Sequence, residues 1–416
     1  MKLGAWIAVT ACALMLAAVG CGGETDSGAS PSPGPAAEGE ATPPAPPPAT
    51  PAAAQDFHPV AGTFKPDGTK LEDCGDDGGN ACYEQAFGNI TYNEGAQVAL
   101  TLFDQKIAGP GPIEADCHRI AHTIGSASLS RNKGNVAKAF SEGSSSCWSG
   151  YYHGILERAF AGIDVTSVTD MGRIASGLCE DPEVRAITWI LYQCVHGLGH
   201  GLMINSGYNL PFSLDVCDQL GSDWDRTSCK GGVFMENISS SYGFTSKWLK
   251  DDDPVYPCNW VEENDKLYCY LMVTSRVLRE VDWDWKKTAE ICAGVEPNWV
   301  ATCFQSYGRD ASGSTRQNPE EILKLCKVAG EFGGEADCVN AAAKDMTANY
   351  SSGKQASVLC NETPTPLRGG CFYSIGAIMG SFTATTEERT ADCREITKNE
   401  DYFQQCLRGA DPYVTG

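Results

Sequence analysis

Apolar runs in the second half of the chain alternate with polar, glycine- and proline-rich breaks. Residues 318–350, NPEEILKLCKVAGEFGGEADCVNAAAKDMTANY, give the pattern in full. Asn318 and Pro319 signal a helix start, EEILKLCKVAG follows, EFGGE interrupts the run, and a second helix carries Cys338. The next stretch repeats this order with KQASVLCNE, the turn TPTP, and LRGGCFYSIGAIMG. Each unit therefore reads as a helical hairpin, with one cysteine closing the first helix and another opening the second.

The cysteines extend that reading along the chain. They fall in spaced pairs: Cys179 with Cys194, Cys217 with Cys229, Cys258 with Cys269, Cys292 with Cys303, Cys326 with Cys338, Cys360 with Cys371, and Cys393 with Cys406. The first members recur at a spacing that settles, from Cys258 onward, to roughly 34 residues, a period that marks a solenoid. The expected fold is all-α, a superhelical solenoid of helical hairpins, each stapled by a disulfide across its turn. Closing such short loops stabilises by about 2–4 kcal/mol per bridge in the chain-entropy view. The arrangement resembles the disulfide-bonded members of the tetratricopeptide and Sel1-like class of α-solenoids. The likeness rests on period, helix pairing and two cysteines per unit. The tetratricopeptide consensus of Trp, Leu-Gly and Tyr at set offsets is absent, so the resemblance implies an architecture and not a family.

Residues 74–178 are less regular. ACYEQAFGNI, CHRIAHTIG and CWSGYYHGIL look like second helices of hairpins, but two of them lack an evident first helix. Cys74, Cys82, Cys117 and Cys147 allow three connectivities, of which 74 with 82 and 117 with 147 is favoured. The loop CGDDGGNAC holds Asp76, Asp77 and Asn80, which could invite calcium; without a full EF-hand pattern a solvated turn is the stronger reading.

The amino terminus has a different character. Lys2 precedes an apolar run from Leu3 to Val19, and Ala18-Val19-Gly20-Cys21 resembles the lipobox of bacterial lipoproteins. That resemblance implies a signal peptide over 1–20, cleavage before Cys21, and lipid on Cys21 that anchors the chain to a membrane surface, at the outer membrane or cell surface. A plain cleaved signal or a short membrane anchor are the other readings. Residues 21–55, rich in Pro, Ala and Gly, read as a tether; at about 3.1 Å per residue it reaches roughly 100 Å. The folded part divides into a histidine-bearing helical region, 56–240, and disulfide-stapled repeats, 241–416. It is read either as one continuous solenoid or as a site-bearing part with a structural extension.

Charge and cysteine usage narrow the chemistry. A formal charge of −22 excludes nucleic acid as a partner, because phosphate binding needs clustered Lys and Arg. Leaving out Cys12 and Cys21, eighteen cysteines remain in an exported chain, an even number suited to disulfides. No C-x-x-C occurs, which removes the usual zinc ribbons and c-type haem attachment. No Ser-His-Asp motif, P-loop or dinucleotide fingerprint is present either.

The histidines carry the functional signal. Five of six, His118, His122, His153, His196 and His200, fall between Cys117 and Gly201. Two pairs have H-x-x-x-H spacing, and His153 precedes Glu157 by the same interval, so each pair shares a helix face and can grip one metal ion. Pairs from successive hairpins can converge as they do in bundle metal sites, with Glu236 as a further ligand. The same offsets from the second-helix cysteine hold Leu271 and Ser275, Gln305 and Arg309, Asn340 and Lys344, and Tyr373 and Ala377, so the framework itself requires no histidine. Phase opposes convergence. His118 directly follows its cysteine whereas His196 stands one position further from Cys194, which sets the two pairs roughly a quarter turn apart around their helices.

In CVHGLGHGLM three glycines crowd His196 and His200. Each costs about 1 kcal/mol relative to Ala within a helix. They remove side chains so that a backbone or a ligand can approach; tight helix packing without a ligand is the alternative. With the cysteines committed to bridges, imidazole and carboxylate donors suit a transition metal, with zinc, copper and iron not distinguished. Glu157 or Glu236 would serve as ligand or base, and Tyr151 and Tyr152 as donors behind them. Three functions follow: an anchored protein that takes up, stores or delivers a transition metal; a hydrolytic or oxidative metalloenzyme; and a scaffold with structural histidines that binds a protein or peptide partner on its concave face.

Overall fold

Asn318 shows how the outer helices begin. Its side chain accepts from the backbone N–H of Glu321 at 3.1 Å, and Pro319 takes the first helical position, where no N–H is needed. Ser222 caps Asp225 and Asp284 caps Lys287, each at 3.0 Å, while Thr385 and Glu388 form a reciprocal capping box. These polar stops fix where each hairpin starts.

The computed structural model describes residues 64–410, apart from 76–78, 110, 145, 162, 164–166, 242–244 and 384. The expected signal peptide, Cys21 and the tether over 21–55 lie outside the described residues, as do Asp76, Asp77 and the side chain of Asn80. All described residues belong to one unit.

Among them the fold is all-α. The longer helices are α1 (Gly79–Glu94), α2 (Ala96–Ile107), α3 (Cys117–Arg131), α4 (Val136–Ser141), α5 (Ser146–Phe160), α6 (Val168–Leu178), α7 (Thr188–Asn205), α8 (Leu210–Cys217) and α9 (Asp223–Ile238). The series continues with α10 (Lys266–Met272), α11 (Trp285–Ala293), α12 (Val300–Ser314), α13 (Pro319–Gly330), α14 (Glu335–Tyr350), α15 (Gly353–Glu362), α16 (Thr365–Phe382), α17 (Thr386–Ile396) and α18 (Glu400–Ala410). No described helix is long and apolar enough to cross a membrane.

The helices form two layers. An inner row, α1, α3, α5, α7, α9, α10, α12, α14, α16 and α18, packs each member on the next, and the shorter helices between them lie against it. The two hairpins that lacked an evident first helix gain α2 and the six-residue α4, whose buried Val136, Ala139 and Phe140 dock it. The described residues hold nine disulfides, Cys74–Cys82, Cys117–Cys147, Cys179–Cys194, Cys217–Cys229, Cys258–Cys269, Cys292–Cys303, Cys326–Cys338, Cys360–Cys371 and Cys393–Cys406, of which Cys117–Cys147 joins two inner helices, α3 and α5. Such a number suits an oxidising compartment.

The row curls back on itself. Helix α14 packs on α5 and α16 on α7, with Trp189 edge-on to Phe382 at 4.8 Å. Arg316 reaches Glu114 at 3.2 Å across 202 residues of chain. Late hairpins thereby face the histidine-bearing ones across a central cavity.

Candidate metal centre

Three inner helices supply the five histidines. Helix α3 carries His118 and His122, α5 carries His153 and Glu157, and α7 carries His196 and His200, while Glu236 comes from α9. Glycine sets the spacing of these helices. A Cβ on Gly154 would collide with the carbonyl oxygen of His122, one on Gly199 with that of Cys229, and one on Gly232 with that of His196. Within CVHGLGHGLM, which is helical throughout, the cost of Gly199 is thus offset by backbone-to-backbone packing, while Gly197 and Gly201 make room for the side chains of Leu156 and Phe160.

Close packing brings the imidazoles together. His118, His122 and His153 form one group, and His153, His196 and His200 another; within each, one nitrogen per ring lies within 4.8 Å of the others. His153 belongs to both. Its ring stacks on His200 with centroids 4.2 Å apart and meets His118, His122 and His196 at 5.4, 5.6 and 5.2 Å. Four of the rings are buried, with His200 at 0% exposure, and His118 is half-buried.

The proton pattern distinguishes the two groups. His118 Nδ1 donates to the Cys147 carbonyl at 2.9 Å, and His122 Nδ1 lies 3.0 Å from Glu157 Oε2. The Nε2 atoms of these two rings face each other at 3.2 Å. Two imidazole nitrogens on a tetrahedral zinc ion would stand about 3.3 Å apart, so the spacing fits a metal. It also fits a proton chain running from a protonated Glu157 through His122 and His118 to the carbonyl.

No such chain completes the second group. His200 Nδ1 lies 2.8 Å from Glu236 Oε2. Glu236 also accepts from the Tyr208 hydroxyl, from Ser241 N–H at 2.8 Å and from the Ser241 hydroxyl at 2.6 Å, the pattern of an ionised acceptor. His200 therefore holds its proton on Nδ1, which leaves Nε2 a bare lone pair. That atom is buried without a hydrogen-bond partner, as is His153 Nδ1. A buried orphan of this kind costs about 1–3 kcal/mol.

Burial sets the charge state of the centre. It depresses His118 and His122 to about 4, with the His122 charge adding to the effect on His118, and holds His153, His196 and His200 well below the usual imidazole range. All five rings are neutral at neutral pH, the form that binds metal. Burial, and then the Glu236 charge, pushes Glu157 up to about 8.

Each histidine singled out in the sequence is brought into the cluster, and both carboxylates stand behind imidazoles. Glu157 reaches across to His122 on α3 and does not face inward beside His153, while Glu236 backs His200. Tyr151 was expected behind the ligands but faces away, donating to Ser128 Oγ and the Ala139 carbonyl. Tyr192, which the sequence reading missed, places its hydroxyl 3.3 Å from His196 Nδ1. Its signal was available, since Tyr192, His196 and His200 recur at every fourth position. No protein-family model, curated protein or solved structure matches this chain.

Proposed function

We propose that this chain is an exported, membrane-anchored protein that binds a transition metal at a five-histidine centre on its disulfide-rich helical scaffold. His200 carries the reading: its Nδ1 proton is held by an ionised Glu236, and its unpartnered Nε2 lies in a closed nest of neutral imidazoles. His118, His122, His153, His196 and His200 are the ligands, with His153 common to both groups. Glu157 and Glu236 orient the rings, in the manner of carboxylate–histidine–metal triads. Nitrogen donors suit zinc, copper or iron. The anchor part of the proposal rests on Cys21, and Cys21→Ala should move the chain from the membrane pellet to the soluble fraction.

The deciding experiment is metal content by plasma mass spectrometry of the oxidised chain, purified without a histidine tag. One or two tightly held ions per chain, lost in His200→Ala, is the expected result. A chain that stays metal-free after incubation with zinc, copper and iron overturns the proposal. A metalloenzyme is the second reading, favoured by the central cavity that reaches His153 and His196. Turnover of a model ester or phenol by the loaded chain, absent in His200→Ala, would select it.

A further inference from the structure

The curl of the inner row encloses a cavity of about 570 Å3, within the roughly 300–1,000 Å3 range of small-molecule sites. Its walls are mainly apolar and aromatic, with Trp189 and Tyr192 on the early side and Leu271 and Ile378 on the late side. Polar side chains interrupt this lining, among them Gln193, Arg309, Lys344, Asp345 and Arg389. Gln193 is 1% exposed, and its Oε1 has no hydrogen-bond partner. Lys344, on α14, lines the late wall, and among the described residues it makes no ion pair or hydrogen bond.

Lys344 differs from Arg309 on the same wall. Arg309 is already held by Asp310, with Nε at 3.0 Å and Nη2 at 2.7 Å from Oδ1. Burial lowers the affinity of Lys344 for its proton, and Asp337 offsets this only in part. In a chain with 53 acidic residues against 31 Lys and Arg, a cation that lines this cavity with no ion pair or hydrogen bond calls for an anion from outside. The acidic exterior gives anions no general attraction, so the apolar walls must supply the affinity and Lys344 the selection.

We propose that the central cavity binds a small organic anion with an apolar, ring-sized body, its negative group against Lys344 and a donor group against Gln193. This goes beyond the metal reading and does not depend on it.

The test titrates the full oxidised chain, stripped of metal with chelator, with two fluorescent probes that share a ring system. 1-Anilinonaphthalene-8-sulfonate is anionic and N-phenyl-1-naphthylamine is neutral. The sulfonate is expected to bind one site per chain, at least tenfold more tightly than the neutral probe. Lys344→Met should bring the sulfonate down to the neutral probe's affinity and leave the latter unchanged. Ala341→Phe, which fills the cavity, should abolish both. Equal affinities, sulfonate binding indifferent to Lys344→Met, or binding that survives Ala341→Phe would each overturn the proposal. If circular dichroism shows that Ala341→Phe does not fold, the Lys344→Met comparison decides alone.

Discussion

The histidine-bearing helices α3 to α9 and the later hairpins α11 to α18 are built alike and differ in what they carry. Both are cross-linked by disulfides, although Cys117–Cys147 joins inner helices α3 and α5 and not the two arms of one hairpin, and both use glycine where one inner helix meets the next. Gly154 and Gly232 sit on the carbonyls of His122 and His196; in the later part Gly308 sits on that of Cys338 and Gly376 on that of Cys406. The later hairpins contain no histidine, so the glycines belong to the scaffold. Several residues two or six positions after the second-helix cysteine line the cavity in both parts: His153 and His196 early, and Gln305, Arg309, Lys344 and Ala377 late. One framework thus brings matching positions of early and late helices to the same cavity. At these positions α5 and α7 carry His153, His196 and His200, whereas the later helices carry no histidine and place Gln305, Arg309, Lys344 and Ala377 there.

The sharpest way to break this comparison is His153→Ala, which removes the ring common to both groups. It should take bound metal from full occupancy to none by mass spectrometry, whereas Tyr373→Ala, in the later helix α16, should retain it. Glu236→Gln should weaken metal by about 10–100-fold in chelator competition, by leaving His200 without its ionised acceptor. Glu296→Gln, which removes a carboxylate partner of Lys266 and Tyr270 in the later part, should leave metal affinity unchanged.

Gly232→Ala and Gly308→Ala should each lower stability by about 1–3 kcal/mol, read from thermal melts, because an added Cβ meets backbone at both sites. Only the first should also reduce metal affinity. Equal loss of metal in the two variants would show that the site depends on global stability and not on local helix spacing.

The smallest effect expected is pH dependence of the metal-stripped chain. His118 and His122 titrate near 4 when folded, against the ordinary 6.5 when unfolded. The unfolded state therefore takes up more protons in that window. Stability is full above about pH 6.5 and is lost as pH falls toward 4. Hydrogen exchange at pH 7 and pH 5 should show protection falling more in α3, α5 and α7 than in α12 to α16. Equal losses would count against the contrast.

The later hairpins were legible because polar caps, glycine breaks and cysteine spacing all agree, as Asn318, EFGGE and the pair Cys326 and Cys338 show. Helix α4 escaped notice because six residues carry too few apolar positions to show a period. The phase difference between the two histidine pairs, which argued against convergence, has a simple geometric reason. Helices α3 and α7 flank α5 on opposite sides, so they must present different faces to reach the same point beside His153. Sequence gives the phase of each helix but not the side from which it approaches. The place of Glu157 was hidden for a related reason: its interval from His153 suggests one shared face, while its length lets it reach the neighbouring helix.

The contact of Trp189 with Phe382 also bears on how such a chain can change over evolutionary time. An open stack of repeats can gain or lose a unit with little consequence, because each touches only its neighbours. Here hairpins far apart in the chain must meet, so inserting or deleting one would alter the circumference and pull Phe382 off Trp189. The number of repeats is then fixed by closure, and variation is confined to the residues the ring encloses.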